Sequence, residues 1–456
     1  MGNYSEAHIC QCLTRLATLR RDNVVTISGN RQKTGNQFTE GVLSLARALL
    51  QLGLSTGDIV AISAFNSDLY LEWLLAIALI GGIAAPLNYR WSFEEAKLAM
   101  LVVRPVMLVT DESCECRWYS NFQNDDVPSL RWHVSLNSHS SDFTVLTTEM
   151  LKKHSVSSLP LNYCWANEGA VIICFTTGTT GKPKGVTLSH SALIIQSLSK
   201  IAIVGYGEDD VYLHTAPLCH IGGLLSAVAM LMVGGCHVLI PKFEPKSALE
   251  AIERHKVTSL ITVPAIMADI ISLIRQKETW KGKETVNKIL NGGGGLSIEL
   301  IKDATLFFPR AKLLSAYGWR RARLGADAKW WRRKMGEIKA IGARGCERGG
   351  LSARAGGVAR MVATRFCSSN VEVTGVLLWV LVAGWGLGVL MRVSVGFGFG
   401  LGGFGFVGFL VSGWVGFGWM FGGMGYGGSD FGPNGFLSDC WTDFGVVGDP
   451  CGFLFG

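Results

Sequence analysis

Residues 1–318 predict an α/β fold of layered subdomains with largely parallel sheets, and two observations carry that expectation. Short apolar runs of strand length alternate with segments whose apolar residues recur at helical spacing, and cap residues stand at several of the joins. Strands that alternate with helices of roughly 10–15 residues pair in parallel, because each crossover helix carries the chain back to the same end of the sheet.

In chain order, 37–52 places Val42, Leu45, Ala46, Leu49 and Leu50 at helical spacing, with Gly53 where a C-cap glycine belongs. The run 58–64 is a strand, 69–80 is an apolar helix closed by Gly81-Gly82, and 83–86 is a strand. Ser92 and Glu95 form a capping box that opens a helix. Further strands are expected at 106–110, 171–175, 186–188, 211–215, 237–240, 259–263, 288–291 and 312–315, with helices between most of them. The stretch 116–165 is polar and patternless and reads as a loop or hairpin excursion.

The pattern stops after Gly318. Residues 1–318 carry 28 Lys and Arg against 27 Asp and Glu, whereas 319–365 carry 13 against 3 and 366–456 carry 1 against 5. The basic character of the chain therefore belongs to one short segment and gives no reason to expect a nucleic-acid partner. The organisation expected is a domain over 1–318, a basic irregular segment over 319–370, and a Gly- and aromatic-rich tail without a predicted fold over 371–456. Gly, Val, Phe, Leu, Trp and Cys all have codons made only of G and T, so the tail reads as translated GT-rich non-coding sequence. The alternative is a single membrane helix over 373–391, nineteen uncharged residues that include four glycines. A membrane partner is not the expectation.

The twelve cysteines lack metal-site spacing and read as reduced thiols. The start MGNYSEAHIC matches neither a signal peptide nor a transit peptide, and Glu6 breaks the myristoylation pattern.

The chemistry is concentrated in Phe175-Thr176-Thr177-Gly178-Thr179-Thr180-Gly181-Lys182-Pro183-Lys184-Gly185, which lies between two strands. A phosphate needs several backbone N–H groups converging on one point, which Gly178, Gly181 and Gly185 permit. Threonine hydroxyls add donors, and Lys182 or Lys184 adds charge. Pro183 after Lys182 excludes the GTPase type of P-loop. Two other stretches stand out: Ala216-Pro217-Leu218-Cys219-His220, and Asn291-Gly292-Gly293-Gly294-Gly295 ahead of a Ser297-capped helix. Taken alone, His220 is more often a structural residue, and the bland alternative for the glycine run is a flexible turn.

The eleven-residue loop resembles the signature of the adenylate-forming superfamily, which includes acyl-CoA synthetases, luciferases and peptide-synthetase adenylation domains. The resemblance runs over about residues 3–318. It implies the large N-terminal domain of an ATP-dependent acid–CoA ligase, whose substrates are a small carboxylic acid, ATP with Mg²⁺, and CoA. By the same resemblance, Thr176 through Lys182, with Lys184 and Gly185, grip the β- and γ-phosphates. His220 lies between the acyl pocket and the CoA tunnel, Gly292–Gly295 form the wall on which adenine lies, and the ring of Tyr317 stacks on it. NYSEAHICQCLTRLA, PLCHIGGL and NGGGGLS together look most like the plant 2-succinylbenzoate–CoA ligase subfamily, which serves phylloquinone synthesis. Relatives work in plastids or peroxisomes, although the terminal Phe453-Leu454-Phe455-Gly456 is no peroxisomal tripeptide.

The resemblance breaks after Ala316-Tyr317-Gly318. The family continues with any residue, then Thr, then a Glu that helps to hold Mg²⁺, whereas this chain has Trp319-Arg320-Arg321. No metal ligand is therefore assigned. The ribose-clamping Asp, the hinge and the small C-terminal domain with its lysine have no recognisable match in 319–456. Three readings follow: a ligase by descent with little activity, an ATP-binding or regulatory module, and a membrane-tethered variant.

Overall fold

The computed structural model describes residues 7–114, 126–137, 146–177, 183–319, 360–365, 376–381, 390–398 and 406–413. The chain enters through α1 (Cys12–Thr18), the hairpin of β1 (Val24–Ser28) and β2 (Arg31–Thr34), and α2 (Gly35–Gln51). Thr34 and Gln37 form a capping box on α2, so the helix starts two residues before the apolar spacing shows it. Gly53, at φ +81°, terminates that helix as expected.

A seven-stranded sheet follows. It takes in β3 (Ile59–Ser63), β4 (Ile83–Pro86) and β5 (Met107–Thr110), reached through α3 (Asp68–Leu79) and α4 (Phe93–Val103). Next come β6 (Trp132–Ser135) and β7 (Leu146–Thr147), followed by α5 (Thr148–Lys153), and then β8 (Ala170–Thr177) and β9 (Pro183–Ser189). The strand order is β7-β6-β5-β3-β4-β8-β9, and only β9 runs antiparallel to its neighbour. The expectation of a loop over 116–165 is corrected where the residues are described: β6 and β7 extend the sheet in parallel and α5 packs beside them. These elements hold only four, two and six residues, too few to display a hydrophobic period.

The second sheet is built from α6 (His190–Val204), β10 (Val211–His214), α7 (Ile221–Val233), β11 (Cys236–Leu239), α8 (Pro245–His255) and β12 (Ser259–Thr262). It continues through α9 (Pro264–Ile274), β13 (Lys288–Asn291), α10 (Ile298–Phe307) and β14 (Lys312–Trp319). Strands β14-β13-β12-β10-β11-β1 are parallel, and β2 is an antiparallel edge. Alternate residues point to opposite faces. Leu213, Val238, Leu260 and Ile289 pack with α8, α9 and α10, while Tyr212, Ile261, Leu290 and Leu314 pack with α7. A larger core joins α1, α2, α3 and α7 to the inner face of the seven-stranded sheet and reaches Val25 and Leu239 of the other. The layered α/β architecture is the one expected.

Beyond β14, the strands β15 (Arg360–Arg365), β16 (Val376–Leu381), β17 (Leu390–Gly398) and β18 (Phe406–Gly413) continue the sheet. The first is parallel to β14 and the rest are antiparallel. The first falls in the segment 319–370, which was expected to be irregular, and the other three in the tail 371–456, for which the sequence offers no fold. The candidate span 373–391 holds β16 and the start of β17, and its other residues lie outside those described. Among the described residues, no helix is long and apolar enough to cross a membrane.

Candidate active site

The connection 178–182, the segment 216–220 and the glycine run 292–295 each follow the carboxyl end of a strand, the end at which open parallel sheets bind ligands, while Ala316-Tyr317-Gly318 lies within β14. Strands β8 and β9 form an antiparallel hairpin in which Thr177 pairs with Pro183, Thr176 with Lys184, and Phe175 with Gly185. The Gly/Thr segment supplies paired residues of both strands of this hairpin and the residues that connect them. Gly178, Thr179, Thr180, Gly181 and Lys182 lie outside the described residues. Thr176 is half-buried and Lys184 exposed. Gly185 is required by packing, since a Cβ there would come within 2.8 Å of Ile173 Cγ2.

On the other sheet, Asn291 ends β13 opposite Ser315 of β14 and Thr262 of β12. The Gly292 N–H donates to Thr262 O at 2.8 Å, and Asn291 Nδ2 donates to Gly294 O at 2.7 Å, which folds the glycine run back on its strand. Gly293 takes φ +71°, and its Cβ position lies 3.2 Å from Val263 Cγ1. Beside Gly292 and Gly295 there is open space. Tyr317 stands two residues beyond Ser315 on the strand adjacent to β13. The register therefore brings the glycine wall and the Tyr317 backbone side by side, an arrangement that fits a flat base laid on exposed backbone.

His220 is exposed at the N-cap position of α7, and its N–H donates to Pro217 O at 3.0 Å. The loop before it is fixed by Asn66, a residue that sequence reasoning missed. Asn66 follows β3 in the other sheet and is 3 % exposed. Its Nδ2 donates to Ala216 O at 3.1 Å, its Oδ1 accepts from the Leu218 N–H at 2.7 Å, and its own N–H donates to Pro241 O at 3.0 Å. One buried amide thus couples the two sheets at the His220 loop. A polar residue just past an apolar run was the only signal in the sequence.

Cys219, beside His220, is packed with Phe65, Tyr89 and Cys114. Burial pushes its thiol up to about 12, so it stays protonated at neutral pH and is no nucleophile. Among the described residues, no group of three His, Cys, Asp or Glu could hold a metal ion. Arg321, where the resemblance calls for a carboxylate, lies outside the described residues, and a guanidinium repels a cation. At that position the chain offers no carboxylate for the magnesium ion that the resemblance implies.

Residues 13–323 match the family described as AMP-binding enzyme. The chain is 60% identical over 323 residues to the chloroplastic/peroxisomal 2-succinylbenzoate–CoA ligase of Arabidopsis thaliana, covering 70% of this chain and 58% of that protein. It is 26% identical over 282 residues to the 2-succinylbenzoate–CoA ligase of Bacillus cereus, covering 62% of this chain and 53% of that protein. The chain thus spans little more than half the length of these relatives. In fold it is similar to a long-chain-fatty-acid–CoA ligase from Archaeoglobus fulgidus, with a TM-score of 0.63 at 18% identity over 70% of this chain and 66% of that one. The N-terminal domain of FACL13 from Mycobacterium tuberculosis gives a TM-score of 0.61 at 20% identity over 68% and 75%. The match over 13–323, together with the sheets, the hairpin loop and the glycine wall, leads to one conclusion: the chain belongs to the AMP-binding enzyme family.

Proposed function

We propose that residues up to Gly318 are the nucleotide- and acid-binding part of a 2-succinylbenzoate–CoA ligase, of the kind found in chloroplasts or peroxisomes. The observation that carries this reading is the glycine run Gly292–Gly295, open at Gly292 and Gly295, set beside the Tyr317 backbone at the carboxyl ends of β13 and β14. In the reaction, a carboxylate oxygen attacks the α-phosphorus of ATP and the α–β phosphoanhydride bond breaks. Acyl-AMP forms and pyrophosphate leaves. The CoA thiolate then attacks the acyl carbon and AMP departs with the bonding pair. Thr176, Lys184 and the loop between them hold the leaving pyrophosphate, while the wall and Tyr317 hold the adenine. His220, projecting from the N-terminus of α7, borders the path between acid and thiol.

Trp319-Arg320-Arg321 argues for a loss of turnover in this chain. Removing one preorganised group typically costs about 10²–10³ in rate. Here the position of a carboxylate carries a cation, which reverses the local field. The reading is therefore binding with little ligation, and Trp319-Arg320-Arg321 equally favours a role as an ATP-binding module. The test incubates purified chain with ATP and 2-succinylbenzoate and looks for 2-succinylbenzoyl-AMP by mass spectrometry, with ATP binding followed in parallel. Saturable ATP binding with little or no adenylate is expected. No ATP binding by folded protein would overturn the reading.

A further inference from the structure

Helix α4 lies on the outer face of the seven-stranded sheet. Its inner side, formed by Ala96, Ala99 and Met100, packs with Leu108, Ile173 and Phe175. Its solvent side is apolar as well: Leu98 and Leu101 are 42 % exposed and Val102 is 66 % exposed. These positions are spaced i, i+3 and i+4, so the three side chains adjoin in one stripe. Single apolar residues on a surface need no explanation, whereas an adjoining apolar group rimmed by charge has the make-up of an interaction surface.

The two ends of the stripe carry opposite charge. Glu94 is exposed in the first turn, and Arg104 is exposed at the C-cap. Lys97, between them, is taken by Asp126 at 2.6 Å. Glu94 and Arg104 form no ion pair among the described residues. A partner that fits must bring an apolar stripe with a cation opposite Glu94 and an anion opposite Arg104. A second α4 turned end for end does this. With the crossing at the level of Ala99, five residues from each charge, Glu94 of either copy meets Arg104 of the other. Leu98, Leu101 and Val102 of the two helices then interdigitate, and the helix dipoles oppose one another.

We propose that α4 is a self-association surface through which two copies of the chain pair about a two-fold axis, the helices antiparallel. Such an interface is isologous, so each contact occurs twice. The inference goes beyond the ligase reading and does not depend on it. One short helix from each copy falls below the roughly 1,000 Å² that a stable interface buries. The dimer is therefore an exchanging one, with a dissociation constant on the order of 1–100 µM.

The test is sedimentation velocity of the full chain from about 1 to about 200 µM, a range that brackets that constant. A reversible monomer–dimer equilibrium is expected. Val102→Lys, which sets like charges into the paired stripe, should leave monomer throughout. Glu94→Arg and Arg104→Glu each place like charges opposite one another twice, and each should weaken association roughly tenfold. The two reversals combined should recover the affinity to within about threefold of wild type. All three positions are exposed, so circular dichroism should show unchanged folding in every variant. Wild type that stays monomeric over the range would overturn the proposal. Association that persists in folded Val102→Lys would do the same, as would a double reversal that associates no better than the single ones.

Discussion

Glu72 on α3 and Lys200 on α6 are both buried ionisable side chains, 0 % and 7 % exposed, in opposite surroundings. Glu72 is ion-paired with Lys33 at 2.7 Å and with Lys152. One turn before it, Asp68 pairs with Lys33 at 2.6 Å and Arg31 at 2.8 Å. This network ties β2, α3 and α5 together, and each carboxylate is matched. Lys200 has one neutral hydroxyl and no counter-charge among the described residues. The contrast separates a buried ionisable group matched by opposite charges from one hydrogen-bonded to a neutral hydroxyl, and the two should respond to mutation with opposite signs.

Glu72→Gln should have the largest effect, because it removes the carboxylate that pairs with Lys152 and one of the two that pair with Lys33. A loss of about 3–5 kcal/mol is expected from denaturant unfolding, and a loss below about 1 kcal/mol would mean that the network is solvated. Its pH signature follows from Asp68. Burial pushes that carboxyl up, but Lys33 and Arg31 outweigh it and hold it below its ordinary value of 3.8. The stability it contributes is present above that value and is lost as pH falls through the folded value.

Lys200→Met should act in the other direction, stabilising the protein by about 1–4 kcal/mol, because an uncompensated charge is replaced by an apolar chain of similar length. The pH dependence sharpens the point. Burial lowers Lys200 from 10.5 to about 7 in the folded protein. Between those values the unfolded chain holds a proton that the folded chain has shed, so wild-type stability rises with pH across the window. The variant should lack this component in a thermal-unfolding series from pH 7 to 9.5.

Asn66→Ala should cost about 1–3 kcal/mol by leaving the Ala216 carbonyl and the Leu218 N–H unpaired. It should also speed hydrogen exchange at Leu218 more than in the core strands. Lys184→Met, at an exposed position, should change stability by no more than about 0.5 kcal/mol and weaken ATP binding severalfold in a calorimetric titration.

Much of this molecule was legible because its strands are short, apolar and bounded by caps. The strands 83–86 and 288–291 were located to the residue, and Ser92 and Ser297 cap α4 and α10 as expected. The Gly/Thr segment and the glycine run stood out in the sequence because glycines cluster there between apolar strands, and the structure puts both at strand ends. What stayed hidden depends on contacts distant in sequence. Glu72 sits in the middle of an apolar helix, and nothing local links it to Lys33 or to Lys152, 80 residues away. Asn66 reaches Leu218 across 152 residues, and the lone state of Lys200 is defined by partners it lacks. The β1–β2 hairpin was missed because Arg31–Thr34 is polar and only two residues separate it from β1.

The most direct test of the account is calorimetric titration of the purified chain with ATP, with and without Mg²⁺. The account predicts saturable one-to-one binding with an affinity that Mg²⁺ leaves unchanged, because position 321 holds a cation. Folded protein with no binding would contradict the nucleotide site, and affinity that rises steeply with Mg²⁺ would contradict the role given to Trp319-Arg320-Arg321.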